Sequence, residues 1–270
     1  MVLEILITVA FASIIQSIFG VGVLLLGTPL LILLGYNFFQ ALVVLLPISL
    51  LINLFQIIKY YSTIDLEFYK KILMYTVPSI VIFLIFINKI KINFGILIGL
   101  LLLLVASKDL STKANRIVRF LLQYEKSYFI LMGILHGLTN LGGSLLTAII
   151  HAKNYEKQIT RSTIAVSYAT FATFQLATLF FTGFDIDIKF SLIALCMVVG
   201  SIVFFSTEKI VYVNIDSKAY RKYFAVFIFL TGLQFFLVRI TLFGSVRITL
   251  FGSVRITSKN KPESGFVSRS

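Results

Sequence analysis

The chain has 270 residues, 59% of them hydrophobic and only 13% charged, with a formal net charge of +13. Apolar runs of this length exclude a soluble globular domain and imply an all-α protein that crosses the membrane several times. Lys and Arg gather beside those runs, where they hold loops on the cytoplasmic side, so the basic excess implies membrane lipid rather than nucleic acid as a partner.

The opening residues lack a basic leader and carry Glu4, which argues against a cleaved signal peptide. Residues 3–34 form an apolar segment interrupted by Gly20, Gly22, Gly27 and Pro29, each unfavourable inside a helix. As one helix it would run about 48 Å, too long for a core of about 30 Å, while half of it is too short. A re-entrant hairpin fits that length, with its turn tolerated only if buried in protein or lining a cavity. Two short crossings satisfy the same parity.

Uninterrupted spans follow at 39–58, 72–87 and 92–106, which close a first repeat over 1–107. A basic linker at 108–126 mixes bases with apolar residues and reads either as a surface-lying amphipathic helix or as a solvated loop. The second repeat, 127–238, opens on another broken segment at 128–152, then spans 162–182, 190–206 and 223–238. Tyr60, Tyr61, Tyr124, Tyr128, Tyr155 and Tyr220 lie at or near span ends, as interfacial aromatics do. Residues 239–270 form a tail holding the tandem octapeptide "RITLFGSV", a unit too short for a structural repeat, and the tail is expected to be disordered. The single cysteine, Cys196, allows no intramolecular disulfide.

Loop charge selects the topology. If both broken segments return to their own side, fifteen Lys and Arg fall on one face and three on the other; if each crosses once, the split is nine and nine. The first arrangement obeys the positive-inside rule and puts the 108–126 linker in the cytoplasm and both ends outside it. Sliding the sequence by 119 or 120 residues aligns "FGVGVLLL" with "TNLGGSLL" and Gln56 with Gln175. Together these predict about eight membrane segments in two inverted repeats, each opening on a glycine-broken hairpin or short helix pair, a build in which substrates bind where broken helices meet.

The clusters "FGVGVLLLGTPLLILLG" and "HGLTNLGGSLL" resemble those of the TauE/SafE sulfite exporter family, over roughly residues 3–237. The resemblance implies a membrane transporter for small sulfur-containing anions such as sulfite or organosulfonates. Val21 and Val23 stand where many members carry further glycines, and no proline follows the second cluster.

The residues lead to a compatible site by their own chemistry. Half-helices meeting at a glycine turn aim N–H groups and positive dipole ends at an anion. Gly20, Gly22, Gly142 and Gly143 would admit a substrate to the backbone, with Pro29 grouped beside them. Thr139, Asn140 and Ser144 can donate from side chains, and Gln56 and Gln175 can donate without permanent charge. The bland alternatives are close helix packing for the glycines and helix-to-helix hydrogen bonds for the amides. His136, placed as the one ionisable group well inside the membrane, is the candidate proton relay. Two histidines 15 residues apart, with no carboxylate read inside the spans, give no metal site; no cofactor or enzymatic constellation emerges. The expected function is a secondary transporter of a small anion; a membrane scaffold with a transporter-like fold is the alternative.

Overall fold

The computed structural model describes residues 2–86, 123–183, 188–220 and 222–227, with isolated positions at 112, 113, 116, 120, 229, 230 and 233. Helix makes up 87% and no strand occurs among these residues. The span expected at 92–106, more than half of the 108–126 linker and the 239–270 tail lie outside the described residues, and the 223–238 span is described only in part.

The first broken segment is two helices, α1 (Val2–Phe19) and α2 (Val23–Leu33). A long α3 (Phe38–Tyr60) follows, started by a capping box in which the Asn37 side chain accepts from the Gln40 N–H while the Gln40 side chain accepts from the Asn37 N–H. Next come α4 (Leu66–Lys71), a five-residue π-turn at Ile72–Thr76, and α5 (Val77–Phe86), one continuous rod. Asp65 caps α4, accepting the Phe68 N–H at 2.9 Å and the Tyr155 hydroxyl. The second broken segment is α6 (Glu125–Thr139) and α7 (Gly143–Ala152). It leads into α8 (Lys157–Phe181) and α9 (Phe190–Thr207), which a π-turn extends through Tyr212.

Among the described residues, five helical rods are long and apolar enough to cross a membrane: Val2–Phe19, Phe38–Thr63, Leu66–Phe86, Lys157–Phe181 and Phe190–Tyr212. The short α2 and α7 are apolar but below crossing length. The helices α3 and α8 pack along each other at the centre. Around them the contacts are reciprocal: α1 lies on α9, and α6 lies on α5. Glycine sets the closeness of both seams. On α6, Gly133 and Gly137 bring the helix onto the backbone of Thr76 and Ile80, and on α9, Gly200 receives Ser13 and Val9. The outer face of α9 shows Leu195, Val198, Ile202 and Phe205 at helical spacing, a stripe suited to lipid.

Two boundaries differ from the sequence reading, and both matter. Helix α8 begins at Lys157 rather than near Ser162, so Arg161, counted above among the loop bases, sits one turn inside the helix and is fully buried. Likewise the rod of α9 runs past residue 206 and carries Glu208 into the protein, 5% exposed. His136 is therefore not the only buried ionisable group, and a carboxylate does stand within a span. Hydropathy placed the ends at the last apolar residue, whereas hydrogen bonding carries each helix past it.

Candidate functional site

The two helix breaks share one backbone solution. At the first, Gly20 takes a left-handed φ of 77° and its N–H donates to the Gln16 carbonyl at 2.8 Å. At the second, 120 residues on, Asn140 takes φ 60° and donates to the His136 carbonyl at 2.8 Å. Asn is among the few side-chain-bearing residues that accept this conformation readily. Two residues later, Gly22 lies on the backbone of Ala12 and Gln16, and Gly142 lies on that of Met132 and His136. In both segments the returning helix thus starts against its own incoming helix, and the closeness these two glycines permit is between helices.

At the first break, side chains close around the turn. The Gln16 side-chain oxygen accepts the Val23 N–H at 3.2 Å, and its Nε2 donates to the Gly20 carbonyl at 2.8 Å and to Asn53 Oδ1 at 3.0 Å. Asn53 also accepts from Gln56 Nε2 at 3.4 Å, and Gln56 Oε1 accepts from Arg161 Nε at 2.9 Å. An amide chain therefore joins α1, α2, α3 and α8. Its directions are set by a backbone N–H at one end and by a guanidinium, which can only donate, at the other.

The second break is finished differently. Asn140 reaches across to α2, donating to Thr28 Oγ1 at 2.8 Å, and accepts from Gln175 Nε2 at 3.3 Å. Gln175 Oε1 lies 3.1 Å from His136 Nε2, which donates in this orientation. His136 Nδ1 is then left buried with no hydrogen-bond partner among the described residues. Beside it, Tyr168 places its hydroxyl so tightly against Gly143 that any side chain at 143 would overlap it. The Tyr168 hydroxyl is buried and likewise without a hydrogen-bond partner. Gly143 is the first residue of α7, whose next N–H groups are taken by the turn itself: Ser144 donates to the Leu141 carbonyl, and Leu145 and Leu146 donate to that of Gly142.

Other candidates take more local places. Thr139 Oγ1 donates to the Leu135 carbonyl at 2.6 Å and accepts the Leu141 N–H, and Ser144 Oγ donates to the Leu141 carbonyl at 2.6 Å. Both hydroxyls stabilise the second turn. Pro29 is half-buried on α2, one to two turns past the first break. Gly20 faces the Arg161 side chain, whose Cγ would lie 3.4 Å from an added Cβ. No group of His, Cys, Asp or Glu able to hold a metal occurs among the described residues.

The sequence reading passed over Arg161, Tyr168 and Glu208. On α8, Arg161, Tyr168 and Gln175 recur every seven residues, which puts them on one face about 10.5 Å apart. Their period was a legible signal, masked because Arg161 is counted among the loop bases.

A single helix break is common in membrane proteins; two breaks of like geometry, joined by Asn140 and Thr28, narrow the comparison. The profile of the sulfite exporter TauE/SafE family matches residues 5–235. The chain belongs to that family. Sulfite exporter TauE/SafE proteins are membrane transporters, so the class of function follows from membership, and the apolar rods agree with multi-pass insertion. No curated protein and no solved structure matches the chain.

Proposed function

We propose that the protein is a secondary transporter that moves a small, sulfur-containing anion such as sulfite or an organosulfonate, binding it at the start of α7. One observation carries this reading: the Tyr168 hydroxyl, buried and unpartnered, stands over Gly143 at the N-terminal end of a helix that begins inside the fold. A hydroxyl donor and a positive dipole end converge there, a combination that suits an anion and repels a cation. The Gln175 amide and His136 line the same place, with Asn140 behind them. Gly20, Gly22 and Gly142 act in this scheme by shaping the turns that bring the half-helices together.

The matching breaks at an offset of 120 residues and the reciprocal packing of α1 on α9 and α6 on α5 support two repeats of inverted direction. With the charge split, they support a cell-membrane protein whose basic loops face the cytoplasm. For an anion leaving a negative-inside cell, the membrane potential supplies about 2.3 kcal/mol per charge per 100 mV, so export needs no coupled ion. Concentrative uptake would need one, and His136 is the group to carry a proton.

Flux through the purified protein in proteoliposomes, tested with sulfite, thiosulfate, organosulfonates and sulfate, decides the reading. Uptake or efflux of at least one of them above empty vesicles is expected. A folded protein that moves none would return the function to scaffolding.

A further inference from the structure

Arg161 is the largest fully buried side chain of the described residues, and it is poorly satisfied. Its guanidinium has five N–H donors, and among the described residues only Nε makes a hydrogen bond, to Gln56. Glu208 Oε1 lies 3.0 Å from Nη2, yet neither that oxygen nor Nη1 nor Nη2 makes an aligned hydrogen bond. The same carboxylate also faces Lys59 at 3.4 Å, so one negative charge serves two cations. The guanidinium lies 3.7 Å from the centre of the Tyr212 ring, and the Tyr212 hydroxyl is itself buried without a hydrogen-bond partner.

These groups have an approach. A polar cleft of about 450 Å³ is lined by Tyr60, Lys157, Tyr212 and Asp216 among others, and Tyr60 and Tyr212 are two of the three aromatic rings beside the guanidinium, Phe204 being the third. Lys157, at its rim, ties down the carbonyls of Tyr212 and Ile215 at the end of the α9 rod. Behind Arg161 lies the first helix turn, since Gly20 packs on its side chain.

We propose that Arg161 and Tyr212 form a second anion site, distinct from the start of α7, in which the two Nη groups take two oxygens of the transported oxyanion and Glu208 holds the guanidinium until the anion arrives. The proposal rests on the transporter reading for its ligand class. Burying a guanidinium with most of its donors unused is costly, and an oxyanion such as pyramidal sulfite or a tetrahedral sulfonate can turn two of its three oxygens to the two Nη groups and supply the missing acceptors. Glu208 then acts as an internal competitor: it keeps the empty site neutral enough to fold and is exchanged for substrate. Its partnership with Lys59 gives it a place to go. Seven residues farther along α8 stands Tyr168, so the polar face of that helix would carry the anion from one site to the next.

The test uses purified full-length protein and sulfite as the probe, with two readouts: sulfite-dependent thermal stabilisation in detergent, and flux in vesicles. R161K keeps the charge but loses the fork, and its half-saturating sulfite concentration should rise at least about tenfold in both readouts. E208Q removes the competitor and should lower that concentration. The double variant R161Q/E208Q removes both buried charges, so it should stay folded while losing the Arg161-dependent part of sulfite binding. Unchanged sulfite dependence in R161K, or in the folded double variant, overturns the proposal, as does a wild-type protein that sulfite does not stabilise. Stabilisation that depends on Arg161 without any flux defeats the transport reading and leaves this site standing.

Discussion

At the first break Gln16 uses both ends of its amide, taking the Val23 N–H and giving to Gly20 and Asn53, whereas His136, 120 residues later, uses one ring nitrogen and leaves Nδ1 buried and unpartnered. Gly20 at the first turn becomes Asn140 at the second, with the same left-handed backbone. The open space beside the first turn is filled by Arg161 from α8, and beside the second by the Tyr168 hydroxyl. One backbone device thus serves two ends. At the first break the Gln16 amide clasps the turn, whereas at the second Thr139 and Ser144 hold it and His136 Nδ1 keeps unused hydrogen-bonding capacity.

The comparison breaks most severely at the glycines that both turns share. Replacing Gly22 or Gly142 by Leu drives a side chain into the backbone of its own hairpin, and each should cost about 4–5 kcal/mol or more, read as loss of a monodisperse, cooperatively unfolding protein. If either variant is as stable as wild type, the two breaks are not built as described.

Asymmetry between the clasps is tested by truncating each. Gln16→Ala strands the Val23 N–H and the Gly20 carbonyl, at about 1–3 kcal/mol for each buried group left unpaired. His136→Gln, which installs the amide found at the other break, should stay within about 1 kcal/mol of wild type by thermal unfolding. If His136 carries a proton, that variant also flattens the dependence of flux on pH between about 5 and 8. An unchanged pH profile would leave His136 as a hydrogen-bonding residue.

Tyr168→Phe removes a hydroxyl that has no hydrogen-bond partner, so stability should hold or rise slightly, while anion flux falls about tenfold or more. Equal losses of stability and flux would assign the hydroxyl a purely structural part.

The smallest effect concerns a contact shared by the halves rather than the breaks. Burial raises the Asp65 carboxyl, but the Phe68 N–H, the Tyr155 hydroxyl and the Lys153 charge lower it further, so it ionises below the usual carboxylate range. A folded value below the unfolded one means stability that is fully present above the ordinary carboxylate range and is lost as pH falls through the folded value. Asp65→Asn should therefore lower the melting temperature modestly at neutral pH, where the carboxylate's contribution is fully present, and flatten its fall on acidification, measured between about pH 3 and 7.

The membrane setting, the two broken segments and their offset were legible in the residues, because length against bilayer thickness and the steric demands of Gly and Pro act locally. Gln16 and His136 could be paired from the alignment alone, and the family resemblance rested on the same two clusters. What those side chains do was beyond the sequence. Whether a glycine gives a ligand or another helix access to the backbone depends on what stands opposite: for Gly22 it is Ala12 and Gln16, and for Gly143 it is Tyr168. Charge was still less readable, since Lys157 and Arg161 are four residues apart and look alike as loop bases. Only the packing of α8 against α3 buried Arg161 on Gln56, because a guanidinium can be desolvated where neighbouring helices bring it an acceptor and a counter-charge, and those come from residues 56 and 208, about 105 and 47 positions away.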